Sequence, residues 1–174
     1  MSTIHRRLSE YYVNIRILLG DLMKKTLVFL LAASISIAYG QDLKWETSLE
    51  KALSRAKAEK KIVFVDVWAA WCGPCKRLQK EVFPTSQAQA ALSHVIPLSL
   101  QTRADDNSET ENVWAEKAYS IEAYPTMFFL DENGKQIGER HLGFMTPNDF
   151  SIWVTKVADK FKTSSARSKT SKRS

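Results

Sequence analysis

The sequence predicts an α/β fold, with parallel strands joined by helices and an antiparallel hairpin at one edge. Three observations carry that prediction. Segments with helical spacing of apolar residues alternate with short runs rich in β-branched and aromatic residues. The first such run, KIVFVDVWA at 61–69, is apolar on both alternating sets, as a strand covered on both faces must be. The last two runs, PTMFFLD and KQIGERHLG, flank DENG, a turn sequence that closes a hairpin.

Each element can be justified in order. Thr47 and Glu50 have capping-box spacing ahead of Leu49, Ala52, Leu53 and Ala56, which predicts a helix over 48–59. The strand at 61–69 follows. A helix restarts at the cysteines, Cys72 and Cys75, and runs to about Val82, where Phe83-Pro84 breaks it. Ser86 can cap a short helix, QAQAAL. HVIPLSLQ reads as a second strand, although Pro97 cannot donate to a ladder. A polar loop at 102–108 leads to a helix over 109–119 carrying Val113, Trp114 and Ala118. After the hairpin, Thr146 caps a final helix with Pro147 at its first position, ending near Phe161. The tail at 162–174 has almost no apolar content, which predicts disorder. No internal repeat is found.

With 174 residues the chain has room for one domain with its own hydrophobic core, placed at 41–161. Its net charge of +6 does not point to nucleic acid, because the basic excess lies in the ends. Residues 41–161 hold 15 Lys/Arg against 17 Asp/Glu, with no basic stripe interleaved with aromatics.

Residues 1–40 read as a leader. From Met23 the chain runs MKKTLVFLLAASISIAYGQD: two lysines, an apolar stretch over 26–38, then small residues at Ala38 and Gly40. That is the layout of a secretory signal peptide, with cleavage expected after Gly40. A membrane span needs about 17 apolar residues or more, and this stretch is shorter. Met23 stands as an alternative start, since residues 1–22 sit awkwardly before a signal. The expected location is the periplasm or outside the cell, where thiol pairs can be oxidised.

Both cysteines of the chain lie in VDVWAAWCGPCKRL, with two residues between them. A staple is a poor reading, because a bridge across so small a loop restrains the unfolded chain little. Zinc is also poor: a site needs about four ligands, and the only histidines after the leader, His94 and His141, are distant in sequence. Redox chemistry fits best. A cysteine at a helix start faces unpaired N–H groups and the positive end of the dipole, which stabilise its thiolate. Cys72, expected to be exposed there, can attack a disulfide in another protein, and Cys75 can resolve the mixed disulfide. Pro74 fits the first turn, and Gly73 leaves room for a substrate backbone. Asp66 lies in a strand apolar on both sides, so its carboxyl should be desolvated, with a raised pKa, and able to exchange a proton with Cys75. The competing reading is an edge-strand aspartate facing water.

VDVWAAWCGPCK strongly resembles the active-site segment of the thioredoxin superfamily, including the aspartate six residues before the first cysteine. YSIEAYPT at 119–126 resembles that family's second signature, and HLGF at 141–144 falls where a family loop helps hold substrate. The resemblance covers about residues 45–160. KEVFPTSQAQAAL and LGFMTPNDF look most similar to the C-terminal thioredoxin-like domain of membrane thiol:disulfide interchange reductases. It implies a thioredoxin fold, a central mixed sheet flanked by helices. It also implies a redox-active Cys72–Cys75 disulfide with no other cofactor and no metal. Cys72 would be the nucleophile, Cys75 the resolver, Asp66 the buried proton carrier and Pro125 a cis-proline. Trp71, Gly73, Pro74, Tyr124, Pro125 and Gly143 would line the substrate groove. Two departures stand out: Pro97 occupies the place of a family lysine near the buried aspartate, and the loop at 102–112 is longer.

Gly-Pro between the cysteines resembles the reducing members of the superfamily. The expected activity is therefore protein-disulfide reduction or exchange. The expected partners are disulfide-containing proteins and a membrane electron donor, because the chain has no nicotinamide or flavin motif. A monomer is expected. The alternatives are an oxidase or isomerase, set apart by a potential above about −200 mV, and a peptide-binding or chaperone module for which the cysteines would be dispensable.

Overall fold

A computed structural model of the protein describes residues 43–171, with side chains through residue 164. The signal-peptide expectation, the cleavage after Gly40 and the alternative start at Met23 lie outside the described residues. The described chain runs α1 (Leu49–Glu59), β1 (Val63–Ala69), α2 (Gly73–Arg77), a π-helical turn (Leu78–Val82) and α3 (Ser86–Leu92). It continues through β2 (Ile96–Arg103), α4 (Trp114–Ala118), β3 (Thr126–Leu130), β4 (Gln136–Leu142) and α5 (Pro147–Ser171). The four strands form one mixed sheet in the order β2-β1-β3-β4, with β1 parallel to β2 and antiparallel to β3. β3 and β4 form the expected hairpin. Gly134 closes its turn with φ of +82°, a conformation that glycine adopts without a Cβ penalty.

Strand β1 is apolar on both sides because the sheet has a core on each face. Phe64 enters the first core with Leu78, Val82, Leu92, Phe129, Phe150 and Val154. There its ring lies 5.3 Å from Phe150, 5.6 Å from Phe129 and 6.1 Å from Trp153. Val63, Val65 and Val67 face the second core, with Ala52 and Ala56 of α1, Leu98 and Leu100 of β2, and Phe128. Fully burying each valine, leucine or phenylalanine among these contributes roughly 1.5–3 kcal/mol. This burial holds β1 in place, and β1 carries Asp66 and leads straight into the cysteines.

Several local expectations shift, each for a backbone reason. Ser48, not Thr47, is extended and accepts from the Lys51 N–H to cap α1. Thr85, not Ser86, caps α3 by accepting from the Ala88 N–H. The helix expected over 109–119 is only Trp114–Ala118. The preceding residues are committed elsewhere: Glu109 bridges to Arg103, and the Thr110 hydroxyl donates to the Gln101 carbonyl. Pro97 is tolerated in β2 because the missing N–H falls on the strand's outer side. There its carbonyl accepts from the Glu46 N–H at 2.8 Å, and the Ser99 N–H donates to the Glu46 carbonyl. Thr146 caps α5 as expected, accepting from Asp149 N–H at 3.2 Å. The helix does not end near Phe161. It continues to Ser171, so residues 162–171 are not the expected disordered tail; no glycine or proline after Pro147 interrupts it.

Candidate active site

The site forms where β1 ends. Ala69, Cys72 and Cys75 pack as one small buried cluster with Trp68 and Tyr124 against it. Cys72 and Cys75 are joined by a disulfide. Cys72 is the N-cap of α2, in extended backbone, and its Sγ accepts from the Cys75 N–H at 3.2 Å. Pro74 sits in the first turn, where the absent N–H removes no helix bond. The π-helical turn that follows is a feature frequent at functional sites.

One expectation is corrected here. Cys72 is not exposed: it is 3% accessible, against 1% for Cys75. The packed side chains of Trp68 and Tyr124 cover the pair. The exposed surface at the pair belongs instead to Trp71, at 48%, and to Gly73 and Pro74. Space above Gly73 is open, with nothing within 4 Å of where a Cβ would stand.

The groove residues expected from sequence come from three segments. The Trp71 and Tyr124 rings meet edge to face at 5.7 Å. The Tyr124–Pro125 bond is cis, and Pro125 is buried at the entry to β3. The Gly143 N–H donates to the Pro125 carbonyl at 2.9 Å, from backbone with φ of +87° that favours glycine. Beside it, the Arg77 guanidinium of α2 stands 4.0 Å above the Phe144 ring. The loop after β4 is therefore tied both to the proline segment and to the cysteine helix.

Asp66 is 1% accessible, and its Oδ1 has no hydrogen-bond partner. It pairs in register with Ser99 and Met127, on the same face of β1 as Phe64. Burial pushes its carboxyl from 3.8 up to about 7, in the range where a carboxyl can take and return a proton near neutral pH. It lines an open cleft with Trp45, Trp68, Gln79, Phe83 and Ser99, and Trp68 Nε1 donates to Ser99 Oγ at 2.8 Å. Gln79 belongs to the turn directly following the cysteine helix, so one cleft borders both Asp66 and that turn.

Sequence reasoning missed a polar group behind Tyr124. The Tyr124 hydroxyl donates to Glu116 Oε1, and Thr102 Oγ1 lies 2.8 Å from the same hydroxyl. Arg103 donates to both Glu116 oxygens, through Nε at 2.8 Å and Nη2 at 2.6 Å. The Arg103 cation and these hydrogen bonds hold the Glu116 carboxyl at about 2. Asn107, also missed, accepts from Trp71 Nε1 at 3.1 Å. No spacing rule links Arg103 to Glu116, or Trp71 to Asn107, so only the folded chain could show these pairs. Of the two histidines after residue 40, His94 is exposed in the turn before β2 and His141 lies on β4, paired in register with Met127. No group of three metal-ligating side chains exists among the described residues.

Comparison with known proteins gives a consistent picture. The family model of the thioredoxin-like domain matches residues 49–158. A thiol:disulfide interchange protein DsbD from Pseudoalteromonas atlantica is 39% identical over 109 residues, 62% of this chain and 18% of that protein. The chain thus spans about a fifth of the length of the curated relatives it matches. A candidate disulphide-isomerase from Bacteroides thetaiotaomicron, solved in solution, is 33% identical with a TM-score of 0.52. That match covers 66% of this chain and 90% of that one. The oxidised C-terminal domain of Neisseria meningitidis DsbD matches in fold, with a TM-score of 0.53 at 22% identity, covering 65% of this chain and 98% of that domain.

Proposed function

The chain belongs to the thioredoxin-like family, and we propose that it is an exported thiol:disulfide oxidoreductase that reduces or exchanges disulfides in other proteins. The observation that carries this reading is the Cys72–Cys75 disulfide at the start of α2, walled by Trp71 and Tyr124. In the reduced form, the Cys72 thiolate receives the Cys75 N–H and lies at the helix start, both of which favour the charged sulfur. It attacks one sulfur of a substrate disulfide, forming a mixed disulfide and releasing the other sulfur as a thiolate. Cys75 then gives its proton to Asp66 and attacks Cys72 Sγ. Asp66 passes that proton to the departing substrate sulfur, the sulfur released first takes its proton from water, and the Cys72–Cys75 disulfide is formed. Two electrons have passed from the protein to the substrate.

The substrate chain lies along Trp71, Gly73, Pro74, Tyr124, Pro125 and Gly143, of which Trp71, Gly73 and Pro74 are exposed and Pro125 is buried. Restoring the dithiol needs an external two-electron donor, and because the chain has no nicotinamide or flavin motif we assign that part to a membrane electron carrier. The redox-active pair serves as the only cofactor, and the protein works as a monomer without nucleic acid. The leader directs it to the periplasm or beyond the cell, where disulfides persist. No helix among the described residues is long and apolar enough to cross a membrane. The likeness to a candidate disulphide-isomerase supports a second reading, in which the pair shuffles disulfides rather than reducing them.

Trapping tests the reaction. Cys75→Ser should accumulate mixed disulfides through Cys72 on non-reducing gels, because the resolving thiol is gone. Cys72→Ser should trap none and should abolish insulin reduction. Trapping by Cys72→Ser instead would reverse the two roles, and trapping by neither would remove the proposed exchange.

A further inference from the structure

Tyr124 is half-buried, and a phenol in that position could give its hydroxyl to water. Two side chains from two elements, Thr102 of β2 and Glu116 of α4, meet it instead, and Arg103 of β2 holds Glu116. A phenol has one proton, and Tyr124 gives it to Glu116, so the Thr102 hydroxyl must be the donor at their 2.8 Å contact. Both Glu116 oxygens are taken by Arg103 in a bidentate fork, which fixes the plane of the carboxylate as a single lysine contact would not.

The backbone explains how these groups meet. Trp68 pairs with Gln101, but Ala69 pairs with Arg103, so Thr102 is the extra residue of a β-bulge. Bulges re-aim side chains beside active sites. The Arg103 carbonyl also accepts from the Ala70 N–H at 2.9 Å, one residue before Trp71. Arg103 therefore holds the backbone leading to one aromatic wall with its carbonyl and, through Glu116, the ring of the other with its side chain. Asn107 of the same segment, in left-handed backbone, pins the indole of Trp71. An ion pair this close to solvent contributes little to stability, so its geometry is the more informative property.

Resting on the exchange reaction above, we propose that Glu116 is a positioning residue for substrate binding. Fastened by Arg103, it holds the Tyr124 phenol and so sets the aromatic wall against which a substrate chain is laid beside the cysteines. Glu116 touches neither substrate nor sulfur. It acts through Tyr124 alone, and that restriction makes the role testable.

The test compares four forms of the full chain: wild type, Glu116→Gln, Tyr124→Phe and the double variant. Each is reduced and mixed with excess insulin in a stopped-flow instrument, and the rate of oxidation is followed against insulin concentration. Glu116→Gln should raise the half-saturating insulin concentration about fivefold, the size of losing one hydrogen bond. The limiting rate should move less than twofold. In the Tyr124→Phe background the same substitution should change nothing further, because the phenol it acts on is gone. Additive losses in the double variant, or a fall in limiting rate with unchanged half-saturation, would overturn the inference while leaving the exchange reaction intact. A wild-type chain that does not reduce insulin would overturn the exchange reading, and this inference with it.

Discussion

Asp66→Asn isolates the cost of burying a carboxyl in strand β1. Asp66 is 1% accessible, one of its oxygens lacks a partner, and burial raises its pKa from 3.8 to about 7. A group that binds its proton more tightly when folded stabilises the fold while protonated. That contribution is complete below about pH 3.8 and is lost as pH rises through about 7. At 1.36 kcal/mol per pH unit, the interval corresponds to roughly 4 kcal/mol. Asparagine keeps the size and has no such titration. The unfolding free energy of the variant minus that of wild type should therefore rise by about 3–4 kcal/mol between pH 4 and pH 8.5. Glu116 and Glu59, both held below the ordinary range by cationic partners, are common to the two proteins and cancel in the difference. Urea unfolding of the oxidised chains at a series of pH values reads this directly. A pH-dependent change below about 1 kcal/mol would refute the buried, high-pKa carboxyl.

Two further outcomes follow from the same account. Asp66→Asn should slow the second half of exchange, when Cys75 must lose its proton, by about tenfold or more near neutral pH, while initial attack by Cys72 changes much less; stopped-flow resolution of the two steps that found equal slowing of both would exclude Asp66 as proton carrier. Export should remove the leader, so mass spectrometry of envelope protein should find a chain starting near Gln41; a mature chain that retains residues 26–38 would favour a membrane anchor instead.

Much of this architecture was legible because burial leaves a periodic mark. A run such as VFVDV, apolar at odd and even positions alike, reads as a strand with a core on each face, which favours a buried place for its one aspartate. The cysteine pair was legible for a different reason: Gly-Pro between two cysteines after a buried strand places them at a helix start. What sequence could not show depends on distant parts meeting. The bulge at Thr102 arises from register between β1 and β2, and the Arg103–Glu116–Tyr124 contacts need that bulge. The sequence predicts an exposed Cys72 because nothing local marks Tyr124, which packs against the pair from far along the chain. The caps moved by one residue, to Ser48 and Thr85, because neighbouring hydroxyl residues compete for the same role and only backbone conformation chooses between them.

The central claim is that Cys72 and Cys75 form a reversible, reducing dithiol pair. Its most direct test is the equilibrium between dithiol and disulfide in buffers of defined thiol potential, read by alkylation of the free thiols. Thioredoxin itself lies near −270 mV, and the proposed reading, which takes Gly-Pro as a mark of a reducing pair, predicts a midpoint on the same side of the scale, below about −200 mV. A midpoint nearer the value of about −120 mV that marks a strong oxidant would contradict reduction as the direction of electron flow. A pair that never equilibrates with the buffer would contradict exchange altogether.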